Sequence, residues 1–209
     1  MKLIDLIGLE IGSFVVIQRD SSQRVGRARW ILRCKCGREI SRQATQLRAL
    51  RIPACNCDFE ARLLNLPETT KSYIAGIYDG EGSMYIGLQS RSGRVPTHFL
   101  EISIANTDKP LLDWVQSVCG GRVSKKGTVK NGHTKPGWTW KASSRQAALF
   151  LSCLRPYLRV KASQADVAIN FQERVTTSDG SRWNLGIPVA EAEWREQQRF
   201  KLIEIRRTA

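Results

Sequence analysis

Apolar positions recur with helical spacing after residue 67 and then switch to strict alternation with polar residues. The first pattern begins at a threonine cap in Pro67–Thr70 and predicts a helix that ends at the glycines after Asp79. Alternation follows in two runs separated by a polar turn, which predicts two antiparallel strands with one buried face each. The apolar members of the two runs are Met84, Ile86, Leu88, Leu100, Ile102 and Ile104.

More helices and two more strands are predicted beyond residue 106. A capped turn at Thr107–Pro110 leads into a helix over Leu111–Val118. The next strands are predicted over residues 121–126 and 137–142, and the remaining helices over 145–154, 162–173 and 190–207. The order α-ββ-α-ββ-α-α predicts an α+β domain over residues 65–209, with helices on one face of an antiparallel sheet. The opposite face is left open and polar.

Residues 1–57 follow a pattern of their own, with two β-rich runs at Glu10–Ile17 and Trp30–Cys34 that predict a hairpin. A short helical or turn segment follows at Gln43–Leu50. Two Cys-x-Cys pairs are present, formed by Cys34, Cys36, Cys55 and Cys57. Four thiolates can surround one tetrahedral Zn²⁺, and a segment too short and polar to build much core would gain folding energy from the metal. We predict a zinc-binding module over residues 1–57, with free thiols or disulfides as the alternative.

Basic residues outnumber acidic ones by 33 to 19, which gives a net charge of +14 and a pI near 10.0. This balance indicates a nucleic-acid partner, with an anionic membrane or a merely solvated basic surface as the alternatives. The basic residues are spread along the chain rather than gathered on one amphipathic helix, which argues against a membrane. No stretch has the roughly 20 apolar residues of a membrane span, and the N-terminus does not resemble a secretory signal, so a cytoplasmic protein is expected.

The helix that ends near residue 80 carries the strongest chemical signal. Small residues at Ala75, Gly76 and Gly80 would let a second helix backbone approach closely. If that helix belongs to a second copy of the chain, two-fold symmetry brings the two Glu81 carboxylates together. Paired carboxylates bind Mg²⁺-type ions, which activate water for phosphodiester hydrolysis. The alternative is an ordinary core helix with a glycine cap, and the physical argument alone leaves both open.

Residues 74–82, IAGIYDGEG, resemble the signature of the LAGLIDADG homing endonucleases. The resemblance covers about residues 70–175 and continues through residues 102–109, 119–123, 154–161 and 164–165. It implies an αββαββα fold whose antiparallel sheet forms a saddle along the DNA major groove. One copy of the signature is visible, and in this family single-motif chains act as homodimers. The dimer contact is then expected at Ala75, Gly76 and Asp79.

The resemblance also implies roles for individual residues. Glu81 matches the acid that binds the essential divalent ion, Mg²⁺ or Mn²⁺, whereas Asp79 matches an acid with a structural role at the helix end. Lys161 matches a basic residue near the scissile phosphate, although a solvated surface lysine is the alternative. Asp108 falls where the family often has a polar residue that orders metal-bound water. Asn106 and Thr107 remain candidates for that role, and Asp108 can equally be a helix N-cap.

The resemblance implies that the open sheet face contacts DNA, and parity along the strands indicates which side chains point outward on that face. Arginine can recognise guanine edges, glutamine adenine edges, and acids can accept from cytosine. The outward residues predicted to bind DNA are Tyr85, Gln89, Arg91, Glu101, Ser103, Arg122, Ser124, Lys126, Thr139 and Lys141.

The N-terminal segment resembles a small cysteine module found at the ends of phage-type and mobile-element nucleases. Residues 1–57 carry eleven Lys/Arg and four Asp/Glu, half of the excess charge of the chain. The resemblance implies a further DNA-contacting arm, and a purely structural module is the alternative. The arginines of this arm would be Arg24, Arg27, Arg29, Arg38, Arg42, Arg48 and Arg51.

The resemblance as a whole implies a homodimeric endonuclease of a mobile genetic element. Such an enzyme makes metal-dependent double-strand cuts, with short 3′ overhangs, in a long, near-palindromic DNA site. Two alternatives use the same fold. One is an RNA maturase that assists intron splicing, and the other is a DNA-binding regulator without catalytic activity.

Overall fold

The protein was examined as a computed structural model that describes residues 5–21, 28–50, 55, 57–91, 94–126, 137–177 and 187–208. The chain divides into two compact units, Met1–Ala61 and Arg62–Ala209. Each unit has its own sheet. None of the described helices is both long and apolar enough to cross a membrane.

The N-terminal unit is an antiparallel meander in the order β1-β2-β3-β4. Its strands are β1 (Glu10–Ile11), β2 (Phe14–Arg19), β3 (Arg29–Cys34) and β4 (Glu39–Gln43). The sequence predicted a single strand over Glu10–Ile17, and this was wrong because the backbone turns at Gly12. That residue has φ +60°, a left-handed conformation that glycine adopts without strain, so Ile11 pairs directly with Phe14. The strand β4 was not predicted.

Helices α1 (Ala44–Arg48) and α2 (Cys57–Leu64) follow the meander. Contrary to the expectation of little core, the first unit buries a cluster that includes two of the four clustered cysteines. The buried members are Ile11, Phe14, Val16, Trp30, Leu32, Cys34, Leu47 and Cys55. The thiols at Cys34 and Cys55 therefore belong to the packing of the unit.

The second unit is an α+β domain with a four-stranded antiparallel sheet in the order β5-β6-β8-β7. Its elements are α3 (Glu68–Glu81), β5 (Gly82–Arg91), β6 (Arg94–Asn106), α4 (Lys109–Cys119), β7 (Arg122–Lys126), β8 (Gly137–Ser143), α5 (Ser144–Leu154), a 3₁₀ turn (Arg155–Tyr157), α6 (Ala162–Thr177) and α7 (Val189–Thr208). The predicted order of helices and strands is confirmed.

One face of this sheet is the core of the unit. Met84, Ile102 and Trp140 point to the same side and are fully buried. Helices α5, α6 and α7 pack against the strands, and the ring of Phe150 in α5 lies 4.9 Å from that of Trp140, between centroids. The alternation seen in the sequence arises from this one-sided burial.

Helix α3 differs from its prediction at both ends. Pro67 is the N-cap instead of a threonine, because its fixed φ of −53° suits a helix start and the threonines lie within the first turn. The C-terminus lies beyond Gly80, since the Gly82 N–H still donates to the Tyr78 carbonyl. Glu81 is therefore the last residue of the helix rather than a residue beyond it.

Candidate functional site

The C-terminus of α3 opens into a cleft of about 320 Å³ in the second unit. The side chain of Glu81 is exposed there, and among the described residues no hydrogen bond or ion pair holds its carboxylate. The lining residues are Glu81, Ala105, Asn106, Thr107, Lys126, Gly137 and Trp138. The cleft thus combines a carboxylate, an amide, a hydroxyl and an ammonium group.

Strand register brings these residues together from four elements. Gly82 pairs with Ile104, which puts Glu81 beside the end of β6. Asn106 at that end pairs with Trp138 of β8, and Gly137 pairs with Lys126 at the end of β7. Lys126 was predicted to bind DNA, but its position in the cleft with Glu81 was not, because the pairing of β6, β7 and β8 has no signal in the sequence.

The Asp79 carboxylate is hydrogen-bonded to the backbone of its own chain. It accepts hydrogen bonds from the backbone N–H groups of Arg159 (2.7 Å), Val160 (3.2 Å) and Lys161 (3.0 Å). These N–H groups precede α6, so Asp79 ties the end of α3 to the start of α6. The two acids of the motif differ accordingly, since Asp79 is held by three donors and Glu81 is held by none among the described residues.

Lys161 lies against the same helix end, where its ammonium group donates to the Asp79 carbonyl oxygen. A cation is favourable at this position because the C-terminus of a helix carries partial negative charge. Burial lowers the pKa of Lys161 below that of an ordinary lysine, although the charges of Asp79 and Glu81 oppose this change. A partly buried, hydrogen-bonded lysine differs from the solvated one that was the alternative.

Asp108 is the N-cap of α4 and does not line the cleft. Its carboxylate accepts from the Leu111 N–H at 3.0 Å, and its own N–H donates to the Asn106 side-chain oxygen at 2.9 Å. Asp108 was predicted to order water in the cleft or to cap a helix, and its carboxylate has the second of these positions. The other candidates, Asn106 and Thr107, both line the cleft.

The second face of the sheet carries the polar side chains that parity assigned to it. Two rows cross the strands, with Ser103, Lys141 and Arg122 in register, and Thr139 in register with Ser124. Gln89 is exposed near the end of β5. Arg91 ends β5, and its side chain lies outside the described part of the chain.

Three of these outward side chains form a network that the sequence did not predict. The Tyr85 hydroxyl donates to Glu101 Oε1 at 2.7 Å, and Lys141 Nζ donates to the same oxygen at 2.8 Å. Burial and the Glu101 carboxylate raise the pKa of Tyr85 to about 12, so its hydroxyl stays a proton donor at neutral pH. The network joins β5, β6 and β8 across the face.

The outer side of α3 departs from the predicted dimer contact. Ala75 is fully buried in the core of its own chain, and Asp79 is engaged as described. A Cβ added at Gly76 or at Gly80 would meet no atom within 4 Å, so both glycines face open space. Tyr73 is 58% exposed beside them, with its ring 5.6 Å from that of Trp114 in α4. The exposed side therefore has Tyr73, Gly76 and Gly80, at helical spacing.

The four clustered cysteines of the first unit meet at one point, with all sulfur atoms within 4.8 Å of one another. The Cys34 and Cys57 sulfurs are 3.5 Å apart, and those of Cys36 and Cys55 are 3.6 Å apart. Sulfurs at ~2.3 Å from a tetrahedral Zn²⁺ would be separated by about 3.8 Å, so the spacing of the cluster is compatible with this ion after small side-chain shifts.

Local backbone structure builds this cluster. Cys34 ends β3, and a tight turn with Gly37 at φ +86° lets the Gly37 N–H bond to the Cys34 carbonyl at 2.8 Å. The second pair is delivered at the start of α2. Burial opposes ionisation of Cys34, but hydrogen bonds from the Cys36 backbone and Ser13 lower its pKa to about 6. The hydrogen bond with Cys34 raises the pKa of Cys57 to about 12.

Several arginines proposed for a DNA-contacting arm are used inside the first unit. Arg38 donates to the Cys55 carbonyl at 3.1 Å and to its sulfur at 3.7 Å, and it pairs with Glu60 at 3.1 Å. Arg29 donates to the Ser41 hydroxyl at 2.9 Å. Arg48 is exposed, and Arg42 donates to the Ser41 carbonyl at 2.9 Å. Arg24, Arg27 and Arg51 lie outside the described residues.

Comparison with solved structures shows which fold this is. The chain is similar to the homing endonuclease I-CvuI in complex with the I-CreI target, with a TM-score of 0.53 and 15% identity over 66% of this chain and 82% of that one. It is also similar to the archaeal intron-encoded homing endonuclease I-Vdi141I complexed with DNA, with a TM-score of 0.55 and 14% identity over 66% and 84%. No protein-family model and no curated protein matches the sequence. The likeness confirms that the chain has the LAGLIDADG homing endonuclease fold.

Proposed function

We propose that this protein is a divalent-metal-dependent endonuclease that cuts both strands of a long, near-palindromic DNA site as a homodimer. The observation that carries the proposal is the unengaged Glu81 carboxylate, which ends α3 in a cleft next to Asn106 and Lys126. A carboxylate at this position has no structural task that the described residues reveal, whereas its neighbour Asp79 has one. The two solved structures compared above, I-CvuI and I-Vdi141I, are DNA complexes of homing endonucleases.

The residues of the cleft fit a small divalent cation, because carboxylate, amide and hydroxyl oxygens are ligands that Mg²⁺ and Mn²⁺ accept. Glu81 would hold the ion, and it is the one carboxylate among the described residues that line the cleft. A second Glu81 from a two-fold-related copy would complete the site. When bound, the metal would lower the pKa of a water ligand and neutralise charge on the phosphate.

The other residues would act on the substrate directly. Asn106 or Thr107 would orient the attacking water by hydrogen bonds within the cleft. Lys161 and Lys126 would stabilise the negative charge that develops on the phosphate in the transition state. Asp79 would position Lys161, because it fixes the backbone N–H of that residue and accepts the side-chain hydrogen bond at its carbonyl.

Dimerisation would use the exposed side of α3. The absence of side chains at Gly76 and Gly80 allows close helix approach, and the exposed Tyr73 ring against Trp114 supplies apolar surface beside it. The polar face of the sheet would contact double-stranded DNA, as expected from a net charge of +14. In the first unit, Cys34, Cys36, Cys55 and Cys57 would hold a structural Zn²⁺, with Arg38 hydrogen-bonded to one of the ligand sulfurs.

The test is cleavage of a library of randomised or host-derived duplexes with Mg²⁺, followed by sequencing of the ends. Site-specific double-strand cuts are expected, and Glu81→Gln should abolish them while DNA binding persists. Glu193→Gln, at an exposed position on α7, is the matched control and should cut normally. DNA binding without any cut, in Mg²⁺ and in Mn²⁺, would favour a regulator without catalytic activity. Preferential binding of intron RNA would favour a maturase.

A further inference from the structure

The network of Tyr85, Glu101 and Lys141 is the most organised feature of the polar sheet face. Each residue comes from a different strand, and Tyr85 and Glu101 are direct cross-strand partners. Both donors bind the same oxygen, with Tyr85 Oη at 2.7 Å and Lys141 Nζ at 2.8 Å from Glu101 Oε1. The Glu101 side chain is 18% exposed, whereas that of Lys141 is 48% exposed. The Glu101 carboxylate, a partly buried acceptor, thus lies beside the Lys141 ammonium group, an exposed donor.

Aromatic packing holds the network in place. The Phe99 ring lies edge-on to the Tyr85 ring, with centroids 6.0 Å apart. Both rings need the space over Gly87, where an added Cβ would come within 2.5 Å of Phe99 and 2.9 Å of Tyr85. The Tyr85 hydroxyl is therefore aimed at Glu101 before any ligand binds, which reduces the conformational entropy lost in recognition.

The network leaves one acceptor and further donors for a ligand. No hydrogen bond to Glu101 Oε2 is formed by any described residue. An ionised carboxylate only accepts hydrogen bonds, and an ammonium group only donates them, with three protons available. The face therefore offers an acceptor and a donor side by side. In the major groove a C·G pair presents the complement, because the cytosine amine donates and the guanine O6 and N7 accept.

We propose that Glu101 and Lys141 together recognise one C·G base pair in each half of the DNA target, and that Tyr85 is the positioning residue for Glu101. The inference rests on the proposed function, since it assigns a specificity to the same DNA-binding surface. Glu101 would accept from cytosine, and Lys141 would donate to the guanine of the same pair. The shared hydrogen bond to Oε1 keeps the two side chains in one arrangement.

The test is a selection from a randomised duplex library with the unmodified protein and with Glu101→Gln. The unmodified protein should require C·G at one position of each half-site. Glu101→Gln should shift the preference at that position alone toward adenine, which glutamine recognises, with a change in discrimination of about tenfold. Glu193→Gln serves as the matched charge control and should leave every position unchanged.

Tyr85→Phe tests the positioning role without removing the charges. It should weaken the preference at the same position a few-fold while preferences at all other positions and the melting temperature stay unchanged. A uniform loss of affinity in Glu101→Gln, with every base preference retained, would overturn the inference, as would a preference for A·T in the unmodified protein.

A selection by binding distinguishes this inference from the proposed function. If the unmodified protein binds but cuts nothing, the proposed nuclease activity fails, and the bound sequences still report the base preference. If it cuts and Glu101→Gln has identical preferences, only the inference fails. If the bound sequences carry no preference at any position, the inference is overturned as well.

Discussion

Two acids two residues apart in the chain have separate tasks, and the separation is visible in their hydrogen bonds. The Asp79 carboxylate accepts from three consecutive backbone N–H groups, at residues 159, 160 and 161. Glu81 faces the cleft. Asp108, in contrast, caps α4 through the Leu111 N–H. Asp79 and Asp108 are therefore both helix-end acids, but only the carboxylate of Asp79 holds a residue proposed to act on the substrate, since Asp108 contacts Asn106 through its backbone N–H.

This difference gives a prediction for a pair of variants. Asp79→Ala and Asp108→Ala should each lower the free energy of unfolding by about 1 kcal/mol, because each leaves backbone N–H groups without an acceptor. Cleavage should fall at least tenfold in Asp79→Ala, since Lys161 loses its position, and should stay near normal in Asp108→Ala. Urea unfolding followed by circular dichroism and single-turnover cleavage measure the two effects. Equal loss of cleavage in both variants would indicate that Asp108 also has a role in catalysis.

At the scale of elements, α3 contains two glycines, Gly76 and Gly80, and a third, Gly82, follows it as the first residue of β5. Gly76 and Gly80 face open space, whereas a Cβ at Gly82 would run into the Tyr78 carbonyl and ring where α3 turns into β5. A side chain added at Gly76 or Gly80 should therefore leave the fold of the chain intact, whereas one added at Gly82 should lower its stability. Only the exposed glycines are suited to contact with a second chain.

Gly76→Leu should keep the monomer folded, because leucine has a helix propensity about 0.5–1 kcal/mol better than glycine and no atom of the chain is displaced. The bulky side chain should block close helix approach, so sedimentation should show a monomer and cleavage should be lost. Gly82→Ala is the contrasting variant and should lower stability by about 1–3 kcal/mol through overpacking. A dimer of undiminished affinity in Gly76→Leu would contradict the proposed interface.

Helix α7 contacts the sheet through a hydrogen bond between the Glu196 carboxylate and the His98 ring. Glu196 of α7 lies 2.6 Å from the Nε2 of His98, a buried residue of β6, and 2.5 Å from Arg199 of its own helix. The hydrogen bond with His98 is the main cause of a lowered pKa at Glu196, with Arg199 contributing, although burial opposes it. A carboxylate with a lowered pKa stabilises the fold when it is ionised.

The sign of the pH dependence follows from this shift. The contribution of Glu196 should be fully present above its ordinary pKa of 4.5 and should be lost as the pH falls through its lower folded value. The free energy of unfolding of the unmodified protein should therefore approach that of Glu196→Gln below about pH 4 and exceed it at pH 6. Chemical unfolding at several pH values measures the difference, and a gap that is constant with pH would refute this account.

The sequence predicted elements well where burial is one-sided. The period-two runs around Met84 and Ile102 lie where they were expected, and α3 differs from its prediction only at its two ends, because one face of each element packs on the core. Prediction failed where the local backbone conformation sets the end of an element. Gly12 divides a predicted strand into two, and Pro67 is the N-cap of α3 in place of the predicted threonine. Four polar residues of the cleft were named singly from the sequence, but their assembly depends on strand register, which no local sequence pattern encodes. They are Glu81, Asn106, Thr107 and Lys126.

At the scale of the whole molecule, the chain combines two units with different sources of stability. The second unit has a sheet packed against helices, with Trp140, Phe150 and Phe171 fully buried. The first unit comprises Met1–Ala61, and two of its buried core residues, Cys34 and Cys55, belong to the four-cysteine cluster proposed to bind zinc. Domains of this size depend strongly on added cross-links such as a metal ion.

Removal of zinc should therefore affect the two units unequally. A strong chelator should abolish the cooperative unfolding transition of the first unit and leave that of the second unchanged, because metal-binding energy is folding energy in such a module. Metal analysis of the untreated protein should give one Zn²⁺ per chain, and Cys55→Ser should reproduce the effect of the chelator. Cys153→Ser, at a buried cysteine of the second unit outside the cluster, is the control that should retain the zinc. The account would be wrong if the untreated protein contained no zinc and the chelator left the unfolding transition of the first unit unchanged. Packing alone would then stabilise this unit, and its cysteines would be free of metal.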